Sequence, residues 1–369
     1  MFTTGRWIQR LRSAFGRGCG GGPCRRGTTR RASRVCCLEL LEERRVPSGY
    51  TITNMGSLGG TYGVTMDLNS RGAIVGRSDT ARNVTTHAYL YSHGAMVDLG
   101  TLGGPNSAAS GINDSGEIVG DSMVAPSFAQ NDVFLSRHGH MTDLGAIGSR
   151  GPFGHIKINN RGDIIGFKLG NGDAALDRRG TMIDLGSLAG RGSAAGDLND
   201  NGQVVGFSPV PGPGSVSNVI HAFLYSHGKM FDLGTLGGKS SEANDINKRG
   251  EVVGPASIAS GAYHAFLYNH GGMTDLGTLG GPNSDAAAIN DRGDVVGFSN
   301  VNAKVSHGFL YRNGRMIDLN SLIPANSGFV VVNAEDINNR GQIAAEAIST
   351  NPRDHTHYIV MLNPTKSAR

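Results

Sequence analysis

Cysteine is nearly absent: the four in the chain, Cys19, Cys24, Cys36 and Cys37, all lie in the first 49 of 369 residues. The rest of the chain therefore has neither disulfides nor a thiolate metal site to hold it together. Four residues separate Cys19 from Cys24 whereas Cys36 and Cys37 are adjacent, which fits no standard zinc spacing, so no metal is assigned. Aromatic residues make up 6% of the chain with a single Trp. No apolar run approaches the ~20 residues of a membrane-spanning helix, so no integral membrane span is expected. GxSxG, HExxH, P-loop and dinucleotide-binding signatures are all missing, so no catalytic residue and no cofactor follow from motif.

Positive charge is also scarce once its position is considered. The formal net charge is +4, but residues 1–49 hold 11 of the 34 Lys and Arg and only Glu39, Glu42 and Glu43 of the 30 acids. The remainder carries 23 basic and 27 acidic residues. A mildly acidic body does not suit a nucleic-acid surface.

Glycine is abundant instead, 57 residues, about twice the usual ~7%. It recurs inside one repeated phrase, plainest at His264–Gly297, HAFLYNHGGMTDLGTLGGPNSDAAAINDRGDVVG. An Ile/Leu-Asn-x-x-Gly core appears seven times, at Asn69, Asn113, Asn159, Asn199, Asn247, Asn290 and Asn338. Successive copies are 44, 46, 40, 48, 43 and 48 residues apart. A period of roughly 40–50 residues with strand-like content matches a propeller blade of four strands.

The copy from Gly281 to Leu319 shows those strands, A to D. Strand A is Ala286–Ile289, B is Asp294–Ser299, C is His307–Tyr311 and D is Arg315–Leu319. Asn/Asp and Gly punctuate the hairpins where positive φ is required. The Asn-x-x-Gly turn joins A to B, with Asn bonding local backbone and Gly taking the left-handed position. Asp197, Asn199 and Asn201 before Gly202 imitate half of a calcium loop. The twelfth position is however Ser208, and sister copies place Arg71, Arg249 and Arg340 at a ligand position. The turn is therefore read as structural and metal-free. Aspartates recur after strand D at Asp98, Asp143, Asp184, Asp232, Asp275 and Asp318, where a carboxylate can cap the free N–H groups of a Gly-rich linker. Histidines open strand C at His87, His221, His264 and His307, with Asp132 and Asp173 in their place in blades two and three. One per blade cannot converge on one ion, so a brace to backbone is expected.

The two ends complement each other. The array opens at Tyr50–Gly60 with a strand D and its linker, and it ends at Ile359–Leu362 with a strand C. An open solenoid has no use for that division, but a ring does. The chain is expected to be an all-β, seven-bladed propeller in which the first strand completes the last blade and leaves no exposed edge. Its domains are then a basic leader over 1–49, a propeller over 50–363 and a tail over 364–369. With its edges closed, the ring is expected to be a monomer.

Within the leader, Trp7, Ile8, Leu11, Ala14 and Phe15 can share one face of a basic helix lying on a membrane, although a disordered leader is the simpler reading. No 7–15-residue apolar segment follows the charges, so this is not an ordinary signal peptide. Cys37–Ser48 resembles the LELLEERxVPS leader of exported or surface proteins of certain bacteria, and that resemblance implies export. The repeat itself resembles the HAF-repeat family, through His221-Ala222-Phe223 and His264-Ala265-Phe266. That likeness spans roughly 310 residues. It departs most in blade three, where Asp173-Ala174-Ala175-Leu176 replaces His-Ala-Phe-Leu and a weaker strand C is expected. It implies a bacterial extracellular repeat protein and brings no catalytic residues.

The functional expectation is an exported or cell-surface binding scaffold for an extracellular glycan or protein. A glycan-directed hydrolase or lyase is the alternative, using axial carboxylates at Asp67, Asp197, Asp245 and Asp336, each two residues before the turn asparagine. Lys157 takes that place in blade three. A purely structural surface protein is a third reading. The B–C loops differ in every blade (Ser78–Thr86, Asp121–Asn131, Ser208–Ile220, Pro255–Tyr263, Ser299–Ser306 and Ala347–Thr356). They share a face with the D–A linkers. Variable loops on a rigid frame usually carry recognition. Candidate contacts there are Phe128, Asn131, Pro209, Pro211, Pro213 and Tyr263.

Overall fold

A computed structural model describes residues 49–125, 131–148, 156–168, 172–190, 192–211, 219–354 and 356–365. The leader up to Ser48, Phe128, Pro213 and residues 366–369 fall outside the described residues.

Each repeat folds as an antiparallel sheet in sequence order from the axis outward. Blade one runs Gly59–Leu68, Ile74–Thr80, Thr86–Ser92 and Ala95–Gly100. Blade six runs Ser284–Ile289, Val295–Asn300, Ser306–Arg312 and Arg315–Asp318. The last sheet takes strands A to C from Phe329–Ile337, Ile343–Ser349 and His357–Pro364, and its outer strand from Tyr50–Asn54. Tyr50 lies opposite Pro364 and Asn54 opposite Val360. The chain is a seven-bladed β-propeller. Strand C of that blade continues through Pro364, one residue beyond the repeat's apparent end at Asn363.

Two blades are irregular. Strand A of blade five is split into Gly237–Ser241 and Asp245–Ile246. Strand C of blade three spans five residues, Ala174–Arg178, against seven in blades one, two, four, five and six.

Both faces of a blade are buried against neighbours, so its strands carry apolar residues at consecutive positions. Alternation sends Val204 and Phe223 of blade four into the interface with blade three. Val205 and Ala222 enter the interface with blade five. The aromatic position is fully buried at Tyr89, Phe134, Phe223, Phe266 and Phe309, each stabilising the ring by ~2–3 kcal/mol. Blade six carries Gly308 in place of the alanine, because a methyl there would press on the fully buried Val331 of blade seven.

The turns follow the local chemistry. In the Asn290–Gly293 turn, Gly293 sits at φ +85°, and Asn290 Oδ1 accepts from the amides of Arg292 and Asp294 at 3.0 and 3.1 Å. The C–D hairpins place two residues in succession at positive φ, as at His227 and Gly228, the signature of a type I′ turn.

Candidate functional site

The propeller axis is lined by the seven A strands, and the chemistry along it is layered. At the A–B turn end, the side-chain amide of each repeat asparagine donates to the backbone carbonyl of the next one. Asn69 reaches Asn113 at 3.1 Å, Asn113 reaches Asn159 at 3.3 Å, and Asn159 reaches Asn199 at 3.2 Å. Asn199 reaches Asn247 at 3.0 Å, Asn247 reaches Asn290 at 3.1 Å, and Asn290 reaches Asn338 at 3.2 Å. All seven are buried. One residue further, a second set of bonds crosses between blades, including Ser70 N to Asp114, Asp114 N to Asn160, Asn160 N to Asp200, Lys248 N to Asp291 and Asp291 N to Asn339. The mouth they surround is a cavity of about 430 Å³.

Next come the four axial aspartates, of which Asp67 and Asp197 also line the mouth. Asp67 accepts from Leu68 N at 3.0 Å and from Ile112 N of the next blade at 2.7 Å. Asp245 accepts from Ile246 N and from Ile289 N of the next blade, both at 2.6 Å. Asp336 accepts from Ile337 N at 2.6 Å and from Leu68 N of blade one at 2.7 Å. Asp197 reaches Ile246 N at 3.4 Å. Lys157 crosses from blade three to blade one, donating to Met66 O at 2.9 Å and lying 3.4 Å from Asp67. Burial raises Asp197, Asp245 and Asp336 above the usual carboxylate range. Asp245 rises further against its neighbour Asp197, and Asp336 against Asp67. Burial alone would lower the Lys157 ammonium, but Asp67, Asp197, Asp336 and Asp245 outweigh it and hold the group charged. This layer laces blades together through backbone amides.

On the other side of the lysine lies an inner cavity of about 240 Å³, lined by Lys157, Asn244, Asp285, Phe298, Asn333 and Glu335 among others. Its wall depends on a β-bulge in strand A. Pairing skips Met66, Ser110, Gly196, Ala287 and Glu335 in blades one, two, four, six and seven, and all five skipped residues line the cavity. A bulge re-aims side chains that simple alternation would place elsewhere. The hydroxyls of Thr65 and Ser110, 2% and 1% exposed, and the amide oxygen of Asn333 have no hydrogen-bond partner there. Burial, and then Glu242, lift Asp285 to about 7. Burial, and then Glu346, lift Glu335 to about 7. Sequence reasoning passed over Asp285, Glu335 and Glu242, because a carboxylate recurs at such a place in only two blades, Glu242 and Asp285 each standing five residues before the turn asparagine. The available signal was that carboxylates stand just ahead of the turn where most blades carry uncharged residues.

The other repeat positions serve the blade. Each linker aspartate accepts from an amide two residues on, as Asp98 does from Gly100 at 2.7 Å, Asp143 from Gly145 at 2.8 Å and Asp184 from Gly186 at 2.9 Å. Asp232, Asp275 and Asp318 do the same for Gly234, Gly277 and Asn320 at 2.7–2.8 Å. The strand C histidines bond these carboxylates rather than backbone. His87 meets Asp98 at 2.8 Å, His221 meets Asp232 at 2.9 Å, His264 meets Asp275 at 2.9 Å and His307 meets Asp318 at 2.7 Å. The two repeated features are thus one brace across strands C and D.

Among the loop candidates, Asn131 opens strand C of blade two and bonds Asp121 at 2.8 Å. Pro209 ends strand B of blade four, with exposed Pro211 two residues on, and Tyr263 opens strand C of blade five at 42% exposure. The stretch Pro255–Tyr263 is mostly strand: B extends to Ile258, which leaves a tight turn closed by Ile258 N to Ala262 O at 2.9 Å. Ladder pairing continues through Ser257 opposite Tyr263, so the loop is shorter than its sequence variability suggests.

No family model and no curated protein matches the chain. Solved structures do. The β-propeller domain of the Trilobed protease from Pyrococcus furiosus, described as having an open velcro topology, is similar at TM-score 0.54 and 10% identity, over 81% of this chain and 95% of that one. YCF48 bound to D1 peptide gives TM-score 0.47 at 11% identity, over 86% and 96%. A gluconolactonase from Xanthomonas campestris, XC5397, gives 0.39 at 11% identity, over 82% and 98%. The first of these bears on fold alone.

Proposed function

We propose that this propeller is an exported binding scaffold whose ligand approaches from the face of the B–C loops and D–A linkers, at the mouth of the axis. The observation that carries the reading is the contrast between the two ends. Toward the A–B turns, asparagines and aspartates are spent on neighbouring blades. Toward the loops, buried hydroxyls of Thr65 and Ser110 face a cavity without partners. Exposed Tyr62, Val84, Tyr263 and Val305 support it, since all four lie at the loop-side ends of their strands or in the loops. The hydrolase alternative depends on Asp67, Asp197, Asp245 and Asp336. Of these, Asp67, Asp245 and Asp336 each bond a backbone amide of the next blade at 2.6–2.7 Å, while Asp197 reaches one at 3.4 Å and, with Asp67, lines the mouth. Export and membership of the HAF-repeat proteins rest on the leader and repeat resemblances.

The test is a glycan and peptide array probed with the full chain, followed by paired variants. Substituting Asn131, Pro209–Pro211 and Tyr263 should weaken whatever binding is found, with the circular dichroism spectrum unchanged. Substituting the opposite turns at Ser226–His227 and Asn269–His270 should not. The reverse pattern would place the ligand on the wrong face for this reading.

A further inference from the structure

We propose that the inner axial cavity binds the ammonium group of a small organic amine, with Phe298 against its alkyl part. This rests on the scaffold reading above and names what the axis would hold.

The wall has acceptors to spare and few donors. The Asn333 amide N–H₂ already donates to Glu335 at 2.7 Å, and that of Asn244 to Asp285 at 3.0 Å and Ala286 O at 2.9 Å. Lys157 is turned toward Met66 O and Asp67. What remains is the amide oxygen of Asn333, the hydroxyls of Thr65 and Ser110, and carboxyl oxygens of Asp285 and Glu335. An ammonium carries three donors and no acceptor, which is the complement of that set. An anion would meet the carboxylates of Asp285 and Glu335, and a neutral polyol could bond the Thr65 and Ser110 hydroxyls but would leave those carboxylates without a countercharge. Among the described residues, no group of three or more His, Cys, Asp or Glu is placed to hold a metal ion. Phe298 supplies the aromatic face on which cations and their alkyl chains rest.

Electrostatics agrees. Asp285 faces Glu242 and Asn244; Glu335 faces Glu346, Asn333, Asp285 and Lys157. Glu346 is paired with His357, and Arg77 and Asp121 stand at the same level of strand B in blades one and two. Asp285 thus has no cation among the groups that shift it, and Glu335 has only Lys157, which acts more weakly than Glu346, Asn333 and Asp285; both sit at about 7. A bound cation supplies the countercharge and displaces protons.

The experiment is calorimetry on the full chain with butylammonium, butanol and butyrate, which share a shape and differ in charge. Butylammonium should bind at pH 8, at least tenfold more weakly at pH 6, and release protons in buffers of different ionisation enthalpy. Glu335→Gln and Asp285→Asn should each weaken it tenfold or more, and Ser110→Ala severalfold, all with unchanged circular dichroism. Equal binding of butanol or butyrate would overturn the cation assignment and leave the scaffold standing. So would amine binding that survives the Glu335→Gln, Asp285→Asn double variant. Absence of amine binding at pH 8 would remove the cavity as an amine site, while the array and loop variants still decide the scaffold.

Discussion

The side-chain amide of Asn338 donates to the backbone carbonyl of Asn69, 269 residues earlier, at 3.0 Å. That bond joins the last blade to the first in the same geometry that joins every other pair, so the ring of asparagine amides has no seam. Each asparagine also accepts from two amides of its own turn, as Asn338 does from Arg340 and Gln342.

Asn338→Ala should therefore cost about 2 kcal/mol in urea denaturation, because it strands buried backbone groups as well as losing bonds. Asn338→Asp should also destabilise, since it keeps the turn acceptor and loses the donor between blades. Calcium should rescue neither variant. A calcium-dependent rise of several degrees in Tm would show a metal role for the turn.

Tyr50 is fully buried in the closing sheet, and Met55 N donates to Ile359 O at 3.0 Å. Deleting residues 1–56 should lower Tm and promote aggregation through the bared edge of strand C. A synthetic peptide spanning Gly49–Gly56, added in trans, should restore the lost stability. Failure of the deletion to change Tm would rule out closure by this strand.

Lys157 is the cation set among four aspartates. Lys157→Met should destabilise the fold by about 3 kcal/mol at pH 7, since it leaves buried carboxylates uncompensated. The loss should shrink as pH falls and Asp197, Asp245 and Asp336, which burial raises above the usual carboxylate range, take up protons. A pH-independent loss would mean that Lys157 contributes only packing.

Asp285 and Glu335 should behave in the opposite sense. Both sit at about 7, above the unfolded carboxylate value near ~4, so their ionisation works against the fold. The penalty is absent below pH 4, grows between pH 4 and 7, and is constant above. Asp285→Asn or Glu335→Gln should therefore stabilise the protein by up to about 4 kcal/mol at pH 8 and change it little at pH 4. Equal effects at both pH values would show the carboxyls to be free of this strain.

The sequence carried the blade count, the strand order and the closure, because each repeats or complements something visible along the chain. The asparagine turn was legible from Gly293 and its counterparts, but its reach to the next blade was not, since that partner lies 43 residues or so away, as with Asn247 and Asn290. His264 announced a brace, yet its partner Asp275 belonged to a different repeated phrase. The axial cavity was hidden for another reason. Strand alternation assigns each residue to a face, and the bulge at Ala287 and Glu335 breaks that parity just where the wall is built. Asp285 and Glu242 share one place, five residues before the turn asparagine, which other blades fill with Val64, Ala108, Ala194 or Asn333, and Glu335 stands where others have Met66, Ser110 or Gly196, so no strong periodic signal marks them.

The outer strand of the seventh sheet also governs the order of assembly. Thr51 and Asn363, bonded side by side, are 312 residues apart. Bringing such distant segments together costs roughly 5 kcal/mol of chain entropy before any contact rewards it. Six blades can form from neighbouring hairpins as the chain emerges, whereas Tyr50–Asn54, which precedes all of them along the chain, has to wait for the last. Ring closure is thus a late, high-contact-order step, and until it occurs the nearly finished propeller presents two open edges to other copies of itself.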